Sequence, residues 1–276
     1  MSNIFSDLSS MGLGNLSGVN IFDEEDKQKS EKKEKVVQVV TEEDFLFEKS
    51  VQCPVCDKDF KVKTVKTGKA RLIGSDSDLR PKYQGIDTVK YDVIACPGCG
   101  YSALSRFFNY MTSHQAKTIK ENVSANFKGL PETGSLYTYD DAIARYKLAL
   151  LNTVVKKAKM SERAYTCLKI AWLYRGKAET LPAETPDIDK VKAECKAAEK
   201  EFIANAYEGF SSAISKELFP ICGMDEITLN YLLADLANQI GKKDDALKMI
   251  SRVITSPAAN QRIKDKAREL KDSIKG

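Results

Sequence analysis

Cys53-Pro54-Val55-Cys56-Asp57 and Cys96-Pro97-Gly98-Cys99-Gly100 are two copies of one local design. Two residues between thiols let a tight turn aim both sulfurs at one ion, and two such turns complete the tetrahedral four-thiolate shell that zinc prefers. Pro54 and Pro97 fix φ inside each turn. Gly100 takes a positive φ without steric cost, which turns backbone N–H groups back toward the sulfurs, and Asp57 at the matching place is among the few other residues that tolerate it. The expected cofactor is therefore one structural Zn2+ held by Cys53, Cys56, Cys96 and Cys99. Four protein ligands leave no open position on the ion, which argues against catalysis by the metal. The competing chemistry is a redox dithiol, which two Pro-containing pairs disfavour.

The flanks of both pairs read as strands. Phe60, Val62 and Thr64 alternate with Lys61 and Lys63, and Tyr91, Val93 and Ala95 alternate with Asp92 and Ile94. Between the pairs lie 39 residues, against about 15 to 20 in a compact ribbon, so an insertion is expected there. Lysines crowd this region. Residues 51–130 hold 13 Lys and Arg against 7 Asp and Glu, whereas residues 1–50 hold 6 against 11. Lys61, Lys63, Lys66, Lys69 and Arg71, with Lys58 before them and Arg80, Lys82 and Tyr83 beyond, offer phosphate contacts and one stacking ring on a basic hairpin at 58–83. A nucleic-acid-binding ribbon is the alternative function.

Downstream of residue 131 the pattern is helical. Apolar residues recur at three- and four-residue steps in Asp140–Lys157, from Ser161 through Tyr174, and along Ile188–Leu218, where the stripe includes Cys195. Gly176–Asp187, with Pro182 and Pro186, reads as a loop. Three shorter helices are expected at Asp225–Ile240, Asp244–Thr255 and Asn260–Ile274. The last pair fits a tetratricopeptide template, with Leu233 and Ala234 facing Ala246, Ile250 and Val253 across Gly241. Equivalent alanines at 142, 206 and 246 are not spaced by the regular repeat of about 34 residues, so any repeats are degenerate. Tyr146, Trp172, Tyr174 and Arg175 are candidate anchors for a partner, with core packing as their plainer role.

These residues resemble a bacterial domain-of-unknown-function family, numbered 2225. The resemblance runs over about residues 48–272. It is carried by Cys53-Pro54-Val55-Cys56, Arg71-Leu72, Asp76-Ser77-Asp78-Leu79-Arg80-Pro81, Tyr91-Asp92-Val93 and Cys96-Pro97-Gly98-Cys99-Gly100-Tyr101-Ser102-Ala103, then by Ala142-Ile143, Tyr146-Lys147-Leu148-Ala149-Leu150 and Ala171-Trp172-Leu173-Tyr174-Arg175. It implies a metal-binding ribbon joined to tetratricopeptide-like helices and brings no biochemical activity with it. Asp57, where a glycine usually follows the first pair, and the segment before residue 40 depart from the family pattern.

The fold expected is thus mixed: a small β zinc-ribbon-like module followed by an all-α tetratricopeptide-like helical domain. Its parts are a mixed-charge disordered tail at 1–40, the module with a trailing helix at 41–130, and the helical domain at 131–276. Composition excludes a wholly disordered or collagen-like chain, with 42% hydrophobic and 30% charged residues in 276. No apolar run reaches the roughly 18 residues of a membrane span, and Met1–Ser10 lacks the pattern of a secretory signal, so a cytoplasmic protein is expected. His114, the sole histidine, follows Thr112 in an expected capping box and is read as a surface residue, while Cys167, Cys195 and Cys222 carry no functional assignment. The leading function is a non-catalytic interaction protein that binds a protein or peptide. An enzyme is the least favoured reading, since Asp76, Asp78 and Arg80 form the one compact polar cluster and a solvated turn accounts for it.

Overall fold

The computed structural model describes residues 40–275. The expected tail at 1–40 lies, but for Val40, outside the described residues. Among the described residues three antiparallel hairpins come first: β1 (Leu46–Gln52) with β2 (Asp59–Val65), β3 (Leu72–Ser75) with β4 (Pro81–Tyr83), and β5 (Val93–Ala95) with β6 (Ser102–Leu104). Seven helices follow: α1 (Ser113–Asn122), α2 (Tyr139–Val155), α3 (Met160–Glu179), α4 (Ile188–Ile214), α5 (Glu226–Gln239), α6 (Lys243–Thr255) and α7 (Gln261–Lys275). The fold is mixed, with strand hairpins ahead of helices.

Both cysteine pairs sit at hairpin tips, the first between β1 and β2 and the second between β5 and β6. The insertion between them consists of the β3–β4 hairpin and a 3-10 helix at Thr88–Tyr91. That short helix corrects the strand expected from Tyr91. Asp87 caps it by accepting from the Val89 N–H at 3.0 Å, so extended chain begins only at Val93.

Consecutive helices pack on one another from α2 to α7, and α5 also meets α7. Burial follows position in this succession. In α3 every residue from Thr166 to Leu173 is buried, and in α5 every residue from Leu229 to Ala237, because each has neighbours on both flanks. The terminal α6 and α7 keep single stripes, Ala246, Ile250 and Val253 in one and Ala267, Leu270 and Ile274 in the other. Val89, Val93, Ala95 and Leu104 belong to the same apolar cluster as these helices, so the second hairpin and the helices share a core.

Two helix ends differ from the sequence expectation. Gly176 lies inside α3 rather than opening a loop, because the Tyr139 ring packs so closely that a Cβ there would stand 2.6 Å from it. The spacing of Ala116, Ile119, Val123 and Phe127 predicts one helical face after Thr112, but α1 stops at Asn122 and Phe127 packs instead over Gly100. The Thr112 capping box is present, with Gln115 N–H donating to Thr112 Oγ1 at 3.2 Å.

Candidate metal centre

The four ligand sulfurs lie within 4.8 Å of one another. Cys53 and Cys99 approach to 3.6 Å, and Cys56 and Cys96 to 3.7 Å. Four sulfurs about 2.3 Å from one central zinc stand about 3.8 Å apart, so the two shorter separations are close to the edges of a zinc–thiolate tetrahedron. Four cysteines are therefore positioned to bind a metal ion. The two turns are built alike. Cys53 N–H donates to the Lys58 carbonyl at 3.0 Å as Cys96 N–H does to that of Tyr101 at 2.8 Å, and Asp57 N–H reaches the Cys53 carbonyl as Gly100 N–H reaches that of Cys96. Asp57 and Gly100 hold φ of 61° and 74°, the left-handed geometry expected at both places.

Backbone N–H groups face the sulfurs. The contact with Cys99, together with N–H groups of Cys56 and Val55, lowers the Cys53 thiol pKa to about 5. Burial pushes Cys96 up to about 11, against the N–H groups of Gly98 and Cys99, and the Cys53 contact and burial raise Cys99. Protons are thus unevenly shared among Cys53, Cys96 and Cys99, and a divalent cation would displace those that remain. Cys53, Cys96 and Cys99 are buried among Val55, Tyr101, Phe108 and Ile119. The helices hold the second turn directly: Asn152 of α2 donates Nδ2–H to the Gly100 carbonyl at 3.0 Å.

Gly100 has no room for a side chain, since an added Cβ would fall 2.7 Å from the root of the Phe127 ring. Gly100→Ala is expected to cost about 2 kcal/mol or more, from strain plus a displaced ring. Asp57→Gly at the equivalent place should be neutral within about 0.5 kcal/mol. Chemical denaturation of both variants checks the contrast.

The basic residues of the first two hairpins are dispersed. Lys61 pairs with Glu48 at 3.2 Å, and Lys63 is half-buried, with its ammonium on the Gly134 carbonyl and 4.6 Å from the Tyr137 ring centre. Lys66 donates to the Asp44 carbonyl at 3.0 Å, Lys69 sits over Phe45, and Arg71 is exposed. His114 is exposed in the first turn of α1. Cys167 and Cys222 are pushed up by burial, to about 12 and about 11, and Cys195 is raised for the same reason.

The turn at 76–80 is not solvated. Asp78 is fully buried and accepts from Trp172 Nε1 at 3.0 Å and from both Arg175 Nη atoms, at 3.1 and 2.6 Å. Asp76 binds Lys82 and Arg175, Arg80 binds Glu179 at 2.8 Å, and Arg175 Nε binds Glu199 at 2.7 Å. Tyr231 of α5 donates to the Ser77 carbonyl at 2.8 Å. Trp172 and Arg175 therefore grip this chain's own β3–β4 turn instead of standing free for a partner. Tyr146 is likewise internal, its hydroxyl on the Val89 carbonyl, and Tyr174 stacks on Phe202. The one sequence signal for this grip is that Asp76-Ser77-Asp78-Leu79-Arg80 alternates acids with small or apolar residues inside an insertion that follows no repeat.

Among the described residues no helix is long and apolar enough to cross a membrane. Residues 46–274 match the model of a family described as "Uncharacterized protein conserved in bacteria (DUF2225)", a stretch that takes in both cysteine pairs and reaches into α7. No curated protein and no solved structure matches the chain.

Proposed function

The chain belongs to the DUF2225 family of bacterial proteins, and from that premise we propose that it is a non-catalytic interaction protein whose ribbon is fastened by one structural zinc. The closed sulfur shell carries this reading. A four-thiolate ion has no position left for a substrate, so its work is to hold two hairpin tips together. The donor set and the sulfur spacing support zinc as the ion.

The helical half supplies the surface. A groove of about 700 Å3 runs between the ends of α4, α5 and α6, lined by Ile214, Ile227 and Val253 together with the charged Asp225, Glu226 and Arg252. The connection that leaves α4 carries Leu218, 93% exposed, and Phe219 beside it. Ile214, Ile227 and Val253 in the groove, and the exposed Leu218 and Phe219 on the connection after α4, offer contacts to the apolar side chains of a peptide. The succession of packed helices, with α5 touching both α6 and α7, supports tetratricopeptide-like stacking.

Elemental analysis of the purified full chain should find one zinc per molecule. Affinity capture from its own cells should yield a protein that Leu218→Asp loses while zinc content and melting temperature stay unchanged. A partner set untouched by Leu218→Asp, or turnover that tracks metal content, overturns the proposal.

A further inference from the structure

Helix α2 is apolar on two faces. One is its buried seam of Ala142, Ile143, Tyr146 and Ala149, which meets the second hairpin and α3. The other is turned to solvent. Beyond its first turn the exposed positions of α2 are Ala144, Lys147, Leu151 and Val154, with Leu148 and Val155 half-buried beside them. Leu151 and Val154 are 51% and 52% exposed. The exposed positions of α6, by contrast, are Lys243, Asp244, Lys248, Ser251 and Arg252, all polar, as a solvated face is expected to be. Lys147, the one charged residue on the exposed face of α2, has its ammonium 5.6 Å from the centre of the Tyr174 ring on α3. Ala144, Leu148, Leu151 and Val155 recur at steps of four, three and four, the spacing by which two helices interdigitate. A hollow of about 120 Å3 adjoins the first two of them, lined by Phe127, Leu130, Ala144 and Leu148 together with the charged Asp141 and Arg145. The two ends of the helix carry opposite charge. Asp140 and Asp141 lie in its first turn, and Lys177 engages only one oxygen of Asp140. Lys157 and Lys159 follow its last turn, both exposed, and among the described residues neither has a carboxylate within 4.0 Å.

We propose that α2 is the contact helix of a two-fold homodimer and packs antiparallel on α2 of a second copy. Antiparallel pairing at this spacing sets Leu148 of one chain against Leu151 of the other, and Ala144 against Val155. Each Leu151 then meets the hollow beside the other chain's Leu148. The same orientation brings the acidic start of each helix to the unpaired lysines after the end of the other, whereas a parallel pairing would set like charges together. A protruding leucine and a hollow on one face, with complementary charge at its two ends, make a self-complementary patch, the requirement of a two-fold interface. The occupant is therefore a second copy of this chain. The proposal does not rest on the peptide reading, whose groove is built by other helices.

Sedimentation equilibrium of the intact, metal-loaded chain tests it and should give a mass near twice the 30.7 kDa of one chain. Leu151→Asp, at an exposed position, should weaken the association by about 100-fold and leave zinc content and helical circular dichroism unchanged. Leu218→Asp should leave the dimer intact, so that failure of this interface and failure of the peptide groove are read separately. Lys157→Glu with Lys159→Glu should weaken the dimer by about tenfold, and adding Asp140→Lys should restore part of the loss, a rescue that the antiparallel orientation alone gives. A monomer at about 100 µM overturns the proposal, as does a dimer indifferent to Leu151→Asp. Cross-linking of the α2 face in cells to an unrelated polypeptide, and not to a second copy, overturns it as well.

Discussion

Cys96→Ser is expected to release the zinc and to unfasten the β1–β2 hairpin while leaving the helices folded. Structural zinc contributes on the order of 10 kcal/mol of folding free energy in small metal modules. Here the expense of losing it falls unevenly, because the two hairpins are anchored differently. Val93, Ala95 and Leu104 of the second lie in the core shared with the helices, and Asn152 holds its turn from α2. The first is an isolated two-stranded sheet, which is marginal in water by itself. Its tip would lean on the proposed metal and rests on the edge contact of Phe60 with Phe108, while Leu46 and Val65 at its far end pack against Phe45 and Tyr91. A zinc held there would also close a loop of 46 residues from Cys53 to Cys99, restricting the unfolded insertion.

Hydrogen exchange should therefore show lost protection from Leu46 to Val65 and retained protection in α3 and α5, with helical circular dichroism nearly unchanged. Removal of zinc from the wild type by a chelator should give the same map. Unchanged protection in β1 and β2 in a zinc-free protein would mean that the sulfurs do not hold the ribbon.

The four-cysteine cluster was legible in the sequence because its chemistry is local. Spacing within each pair, the prolines, and a left-handed residue after each second cysteine are all written within five residues, and Asp57 and Gly100 take the conformation those residue types admit. Helices were legible for a related reason: an amphipathic stripe is a periodic local signal, and Asp225 or Thr138 at a helix start is a local cap. What escaped depended on distant partners. Gly176 breaks helices by propensity, yet here it is the place where Tyr139 must fit. Asp76 and Asp78 look like a surface turn until helix residues about 100 positions away, Trp172 and Arg175, close over them. Composition cannot distinguish a solvated acid from a buried one whose arginine lies in another element.

Asp78→Ala should be the most damaging substitution outside the cysteines. It removes the acceptor for Trp172 Nε1 and for both Nη atoms of Arg175, and leaves a guanidinium whose side chain is 17% exposed with only Asp76 and Glu199 as carboxylate partners. Breaking such a buried pair from one side costs about 3 to 5 kcal/mol, since the surviving charge keeps its desolvation penalty. Leu79, held at a positive φ of 69° by the docked turn, would relax as well, so part of the loss is offset by released strain. Trp172 reports the event, because its indole loses a hydrogen-bonded buried setting and its emission should shift toward the red. Asp78→Asn, which keeps the shape and one acceptor, should fall between wild type and alanine.

Acid should act in the same place. Burial works to raise the Asp76 pKa, but Lys82 and Arg175 hold it below the ordinary 3.8, so its contribution is present above 3.8 and is lost as pH falls toward the lower folded value. Asp235, raised by burial, has the opposite sign: its contribution is full below 3.8 and declines as pH rises through its folded value. Asp235→Asn should therefore leave the acid limb of a pH–stability profile dominated by Asp76 and raise the plateau above it. A wild-type melting temperature and tryptophan emission in Asp78→Ala would show that the β3–β4 turn is not held by this carboxylate.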